Sequence, residues 1–405
     1  MRIGILTYHA ACNFGANLQA LSTYSYLKNQ GHTPLVIDWM TQELENYYRR
    51  SIPLPQYLAH QRFRQEKLVM TKPCYTDDDI VKVIKDENIE AIIVGSDAVM
   101  QHHSYISRVV FPSRHIISVS KIGQDRMCPN PFWGSFLHLL QKRIPIAFMS
   151  ASSQNSAYRS MTKKERTTAA SLLSNYTYIS TRDDWTANMV YWITHGRIMP
   201  EVTPDPVFAF NYNVKEQLSE EYIRTKFNIK GRYYLLSFHD SKTVSMRWLS
   251  EFQEIASESN IECIAMAFPN GIKYKHPFKH TIDIPLSPME WFALIRYSDG
   301  YIGHNMHPIV VSLHNAVPCF SFDNYGVVRL KIFVNEKSSK IYHIMKSFRL
   351  LENRASCVGK LFKRPTPQYV IERLNSFDRG EVKKIANKYL EEYKLMMQNI
   401  IGSFN

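Results

Sequence analysis

The sequence predicts an α/β protein: two Rossmann-like lobes with parallel sheets and a ligand cleft between them. Three observations lead there. Short apolar runs of strand character alternate with helical stretches, the pattern of parallel sheets covered by helices. The runs fall into two series separated by a polar stretch over 211–231. At 405 residues the chain also exceeds the roughly 250 to 300 that one core usually serves.

The first series opens at Ile3 to Leu6, an apolar run suited to a strand covered on both faces. A turn follows in which Asn13 can accept a bond from the first free amides of a helix and Gly15 carries no Cβ. That helix is marked by Ala16, Ala20, Leu21, Tyr24 and Leu27 at helical spacing. Further strands are expected at Pro34 to Asp38, Ala91 to Val94, Ile144 to Phe148 and Tyr178 to Ser180. Between 99 and 142 the alternation gives way to His, Pro and aromatic residues, too long for a connecting loop and expected as an insertion near the cleft. The second series runs through Tyr233 to Phe238, Ile261 to Ala267, Gly300 to Gly303 and Pro318 to Phe322. Lobes of 1–212 and 213–405 follow from this reading. The chain ends in an amphipathic helix, Glu381 to Ile400, expected to pack across a lobe.

Composition narrows the class. Apolar residues make up 45% and aromatics 13%, with no apolar run of about 20 residues, so a soluble globular protein is expected. The chain starts in a strand and not in a basic stretch leading to an apolar one, which predicts no secretory leader and a cytoplasmic location. Six cysteines without a Cys-x-x-Cys pair argue against structural zinc or a disulfide framework and predict free thiols. The net charge of +13 favours anionic partners. Much of the excess lies between Arg329 and Arg364, with ten basic residues against two acidic. This segment reads either as a solvated face or as a contact with the anionic inner membrane surface or a diphosphate-linked lipid carrier. No nucleic-acid-binding motif supports a nucleic-acid partner.

The stretches Asn13-Phe-Gly-Ala-Asn-Leu-Gln-Ala20 and Val94-Gly-Ser-Asp97 resemble motifs of the polysaccharide pyruvyl transferase family. Ile179-Ser-Thr-Arg-Asp183, Asp205-Pro206 and Gly303-His-Asn-Met-His-Pro308 match further family segments in the same order. The resemblance spans most of the chain and implies a two-lobed, GT-B-like transferase. The implied activity moves a pyruvyl group from phosphoenolpyruvate to two hydroxyls of a sugar, forming a ketal, with no metal or other cofactor. The chain departs from the family pattern at Asn305, where an arginine or serine is usual, and at Pro308, where a small residue is usual. A nucleotide-sugar glycosyltransferase and a non-catalytic glycan-binding protein are the competing expectations.

His307 is the expected acid/base, since an imidazole titrates near working pH and would sit at a helix mouth before Pro308 and the helix Ile309 to Leu313. The alternative for it is a histidine whose ring satisfies nearby backbone. Arg182, His239, Asn305, Lys273 and, loosely aligned, Arg329 are the donor-side candidates; Arg182 can equally pair with Asp183 or Asp205. By family position Asn13, Gln19, Ser96 and Asp97 line the acceptor side, and each also reads as a cap or an interior polar residue. Trp133 can stack on a sugar face or belong to the core. Asp77-Asp-Asp79 has the spacing of a metal motif but reads better as negative charge at a helix start.

Overall fold

The computed structural model describes all residues except 114–115, 155, 330–332 and 359–362. Two six-stranded sheets dominate it. In spatial order the first holds Thr33–Val36, Arg2–Leu6, Ala91–Asp97, Ile146–Ala151, Tyr178–Thr181 and Glu201–Val202. The second holds His280–Ile282, Ile261–Met266, Arg232–Ser237, Gly300–Gly303, Cys319–Asp323 and Arg354–Ser356. Every pairing within both sheets is parallel. The strands inside the edges are almost wholly buried, because helices cover both faces.

All nine expected strands are present, with ends displaced by up to three residues. The missed strands are short and edge-lying: Glu201–Val202, His280–Ile282 and Arg354–Ser356 carry too few apolar residues to stand out. Two antiparallel hairpins, Val109–Ser113 with Ile116–Val119 and Val327–Arg329 with Phe333–Asn335, also went unmarked.

In each sheet the chain reverses direction of growth at one place. In the first this lies between Arg2–Leu6 and Ala91–Asp97, in the second between Arg232–Ser237 and Gly300–Gly303. Open α/β sheets bind ligands outside the carboxyl ends of such strands. The last helix, Arg379–Gly402, carries the chain back to the first sheet, touching Ile146–Ala151 and Tyr178–Thr181. Buried Tyr393, Met396 and Ile400 from that helix join a core shared with residues of both sheets.

The six cysteines are free, five of them buried. Among the described residues no helix is long and apolar enough to cross a membrane. The basic segment is not one face. Lys340 is buried, and the Arg354 guanidinium is enclosed between Asp323 at 2.7 Å and Glu336 at 2.8 Å. Lys337, Lys346, Arg349 and Lys363 face outward.

Candidate active site between the lobes

A cavity of about 360 Å³ opens where the two reversal points face each other. From the first sheet come Tyr8, the turn Ala11 to Gly15, and Asp97, Ala98 and Gln101; from the second come His239 and the turn Asn305 to Pro308. Three cleft residues hold backbone conformations that L side chains rarely adopt, Asp97 at φ 81°, Gln154 at φ 57° and Asn305 at φ 74°. Asp97 ends one reversal-point strand and Asn305 stands two residues past the other, and such strain, about 1–3 kcal/mol, collects at functional sites.

His307 is the second residue of helix Met306–His314, which starts three residues earlier than Ile309. Pro308 therefore sits third in the first turn, where its missing N–H costs nothing. The His307 side chain packs closely against Gly15 of the other lobe: a Cβ on Gly15 would lie 1.9 Å from His307 Cγ and 2.2 Å from Nδ1. Only 6% of His307 is exposed, and its ring bonds to none of the described residues. It is therefore not the backbone-capping histidine the sequence also allowed. Burial lowers its pKa to about 4, against the opposing pull of Asp97 and Asp205, so the ring is neutral near pH 7. Asp97 faces it: burial works against this carboxylate, but His307, Arg182 and Lys340 hold it below the usual range.

Asn305 does not cap its helix. Its Oδ1 instead accepts from His239 Nε2 at 3.0 Å and from the Tyr325 hydroxyl at 3.4 Å. His239 stacks on Phe268, ring centroids 4.2 Å apart, and burial lowers its pKa. Asn13 lines the cavity while also capping helix Phe14–Asn29 through Ala16 N at 3.3 Å, so both of its readings hold.

Other candidates stand elsewhere. Arg182 is 3% exposed and lies behind the cavity, bonded to Asp205 at 2.7 Å with Asp97 at 3.5 Å. Gln19 donates to the same Asp205 oxygen at 2.5 Å, and Ser96 donates to the Ser150 carbonyl at 2.8 Å. These three form an internal polar layer, each at most 3% exposed, and none of them lines the cavity. Trp133 is fully buried with Phe132 and Phe136 in the core of the first lobe, so it offers no face to a sugar. Lys273 is exposed on a loop from which only Phe268, Pro269 and Asn270 reach the cavity. The backbone of Arg329 ends strand Val327–Arg329, and its side chain lies outside the described residues. Asp79 closes a capping box with Thr76, so the acidic triplet does start a helix.

The structure adds residues the sequence did not single out. Asp125 and Arg126, from the insertion, reach the cavity, and Tyr8 donates to Asp125 at 2.9 Å. Tyr47 and Tyr48 line it from helix Gln42–Ser51, which buries no side chain. Lys340, the first residue of helix Lys340–Ser347, lines it while only 6% exposed. Burial and the facing Arg182 lower the Lys340 ammonium to about 8. The insertion was legible by its length and the basic segment by its charge, but neither named these side chains.

Solved structures with a similar fold include the UDP-GlcNAc 2-epimerase from Neisseria meningitidis bound to UDP-GlcNAc, at TM-score 0.51 and 11% identity, covering 99% of this chain and 100% of that one. The Methanocaldococcus jannaschii UDP-GlcNAc 2-epimerase matches at 0.51 and 12%, covering 96% and 99%. Arabidopsis thaliana UGT89C1 complexed with quercetin matches at 0.51 and 10%, covering 100% and 99%. At such identities the likeness shows the fold alone, the GT-B arrangement of two lobes. No protein with a curated description matches the chain in sequence. The family model for polysaccharide pyruvyl transferase matches residues 13–325, taking in both reversal-point turns and the cleft between them, and the chain belongs to that family.

Proposed function

We propose that the protein transfers a pyruvyl group from phosphoenolpyruvate to two hydroxyls of a sugar in a surface polysaccharide or its precursor. Family membership supplies the reaction class. The observation that carries the reading for this chain is the imidazole of His307 seated against Gly15, where motifs from the two lobes meet at an open cavity.

In this reading a sugar hydroxyl adds to the enol carbon and the methylene carbon gains a proton. His307, neutral at rest, takes the proton from the hydroxyl and returns it to the methylene carbon. A second hydroxyl then displaces phosphate and closes the ketal, its proton leaving through the same ring. Well-placed proton transfer of this kind contributes about 10²- to 10⁴-fold. The uncapped start of helix Met306–His314 presents free amides and a positive dipole end to the donor's negative charges. On the acceptor side Asn13 and Asp97, with Tyr47 and Tyr48, offer hydrogen bonds and ring faces to a sugar. The acceptor can be lipid-linked, with outward cations such as Lys346 and Lys363 meeting an anionic membrane surface from the cytoplasm.

Incubation with phosphoenolpyruvate and a panel of surface-type oligosaccharides tests the proposal. One phosphate released for each pyruvate ketal found in the product is expected. Consumption of a nucleotide sugar with phosphoenolpyruvate left intact would replace the proposal with a glycosyltransferase.

A further inference from the structure

We infer that Lys340 receives the phosphate of the bound donor, at a subsite completed by the free amides that start helix Met306–His314. The pyruvyl-transfer reading names the donor; the subsite itself stands on geometry.

Lys340 is 94% enclosed, yet among the described residues its ammonium has no hydrogen-bond or ion-pair partner. The ammonium instead stands over the ring of Tyr325, 4.6 Å from Nζ to centroid. Taking an ammonium out of water costs several kcal/mol unless an opposite charge compensates it. The carboxylates around it are committed elsewhere. Asp205 serves Arg182, Gln19 and the amide of Val207. Asp183 takes Ser152 and Thr186, and Asp323 takes Arg354 and Ser339. Asp97 faces both His307 and Arg182. The fold therefore brings a cation to the cavity wall and provides no full counter-charge for it.

A second, independent feature points to the same ligand chemistry. Asn305 gives its side-chain oxygen to His239 and Tyr325 and leaves the first amides of helix Met306–His314 without a side-chain cap. Uncapped helix starts bind phosphate and other anions. Asn305 brings no charge of its own to this turn, so Lys340, reaching in from a different helix, supplies it. Both residues line the one cavity, and Tyr325 touches both. A point-charge ammonium beside backbone amides is also the usual way lysine holds phosphate.

The test is calorimetric titration of the full chain with inorganic phosphate and, separately, with pyruvate, on the wild type, Lys340→Met and Lys340→Arg. Phosphate binding should weaken about 10- to 100-fold in Lys340→Met, return in part in Lys340→Arg, and leave pyruvate binding unchanged. The ligand-free Met variant should melt no lower than the wild type, since an uncompensated buried charge has been removed. Undiminished phosphate binding by Lys340→Met, or loss of pyruvate binding alone, would overturn the inference, as would a Met variant that melts well below the wild type. Loss of phosphate binding in the Met variant, combined with a wild type that does not turn over phosphoenolpyruvate, would leave the subsite standing and remove the pyruvyl-transfer reading.

Discussion

Two buried cations a short way apart meet opposite circumstances. Arg182 lies behind the cleft between two carboxylates, at 2.7 and 3.5 Å, and is 3% exposed. Lys340 lies on the cleft wall, equally enclosed, with no carboxylate of its own. The difference separates two jobs that family-motif residues share in the sequence. The inner layer of Arg182, Asp205, Gln19 and Ser96 fixes the ends of the first sheet's strands. The outer layer of His307, Lys340, Asn305 and Asp97 keeps unmet polar capacity facing space.

Replacing Arg182 by Met should produce the largest effect. It strands Asp205 and Asp97 in the interior, a loss of about 3–5 kcal/mol in urea unfolding. A variant with wild-type stability that fails only in donor binding would move Arg182 to the outer layer and break the comparison.

His307→Gln should do the reverse: turnover falls by about 10²- to 10⁴-fold while the melting temperature hardly moves. Gly15→Ala places a methyl within 1.9 Å of the His307 ring. It should reach a similar endpoint by displacing that ring, since a shift of about 1 Å at a reacting group costs about 10²-fold. A Gly15→Ala enzyme with full turnover would show that the ring's position is immaterial.

Acid sharpens the contrast further. Burial lowers His60, His304 and His314 to about 3 and His307 to about 4. The unfolded chain binds these protons from about pH 6.5 downward and the native protein does not. Stability held above pH 6.5 is therefore lost as pH falls toward 4, up to about 1.4 kcal/mol per pH unit for each ring. Melting curves between pH 7 and 5 should show this, and His307→Gln should lose less than the wild type.

The smallest effect belongs to the core. Trp133→Phe should cost about 0.5–3 kcal/mol of stability and leave substrate KM values unchanged, because the indole touches no part of the cavity. A raised acceptor KM would return Trp133 to the site.

The pattern of strands, the two-series division and the turn around Asn13 and Gly15 were legible because apolar runs and turn residues act locally. His307, His239, Asn305, Asn13 and Asp97 were legible because they lie at or just beyond the carboxyl ends of strands that meet the cleft. Arg182, Gln19 and Ser96 carry the same motif signal, and the three-dimensional arrangement turns them inward, Arg182 and Gln19 to Asp205 and Ser96 to the Ser150 carbonyl. Trp133 read either as a sugar platform or as a core aromatic, and its burial in one core cluster with Phe132 and Phe136 decides for the core. Lys340 left no trace beyond its share of a basic segment, since its burial depends on a helix start more than 200 residues from Asp97 in sequence.

The central claim is that the cleft is built for a small phosphorylated carboxylic acid. Calorimetric titration of the wild-type protein with phosphoenolpyruvate, with a UDP-sugar as comparator, tests it most directly. Saturable binding of phosphoenolpyruvate that inorganic phosphate competes away, with no heat from the UDP-sugar, is the predicted result. Binding of the UDP-sugar with none of phosphoenolpyruvate would contradict it.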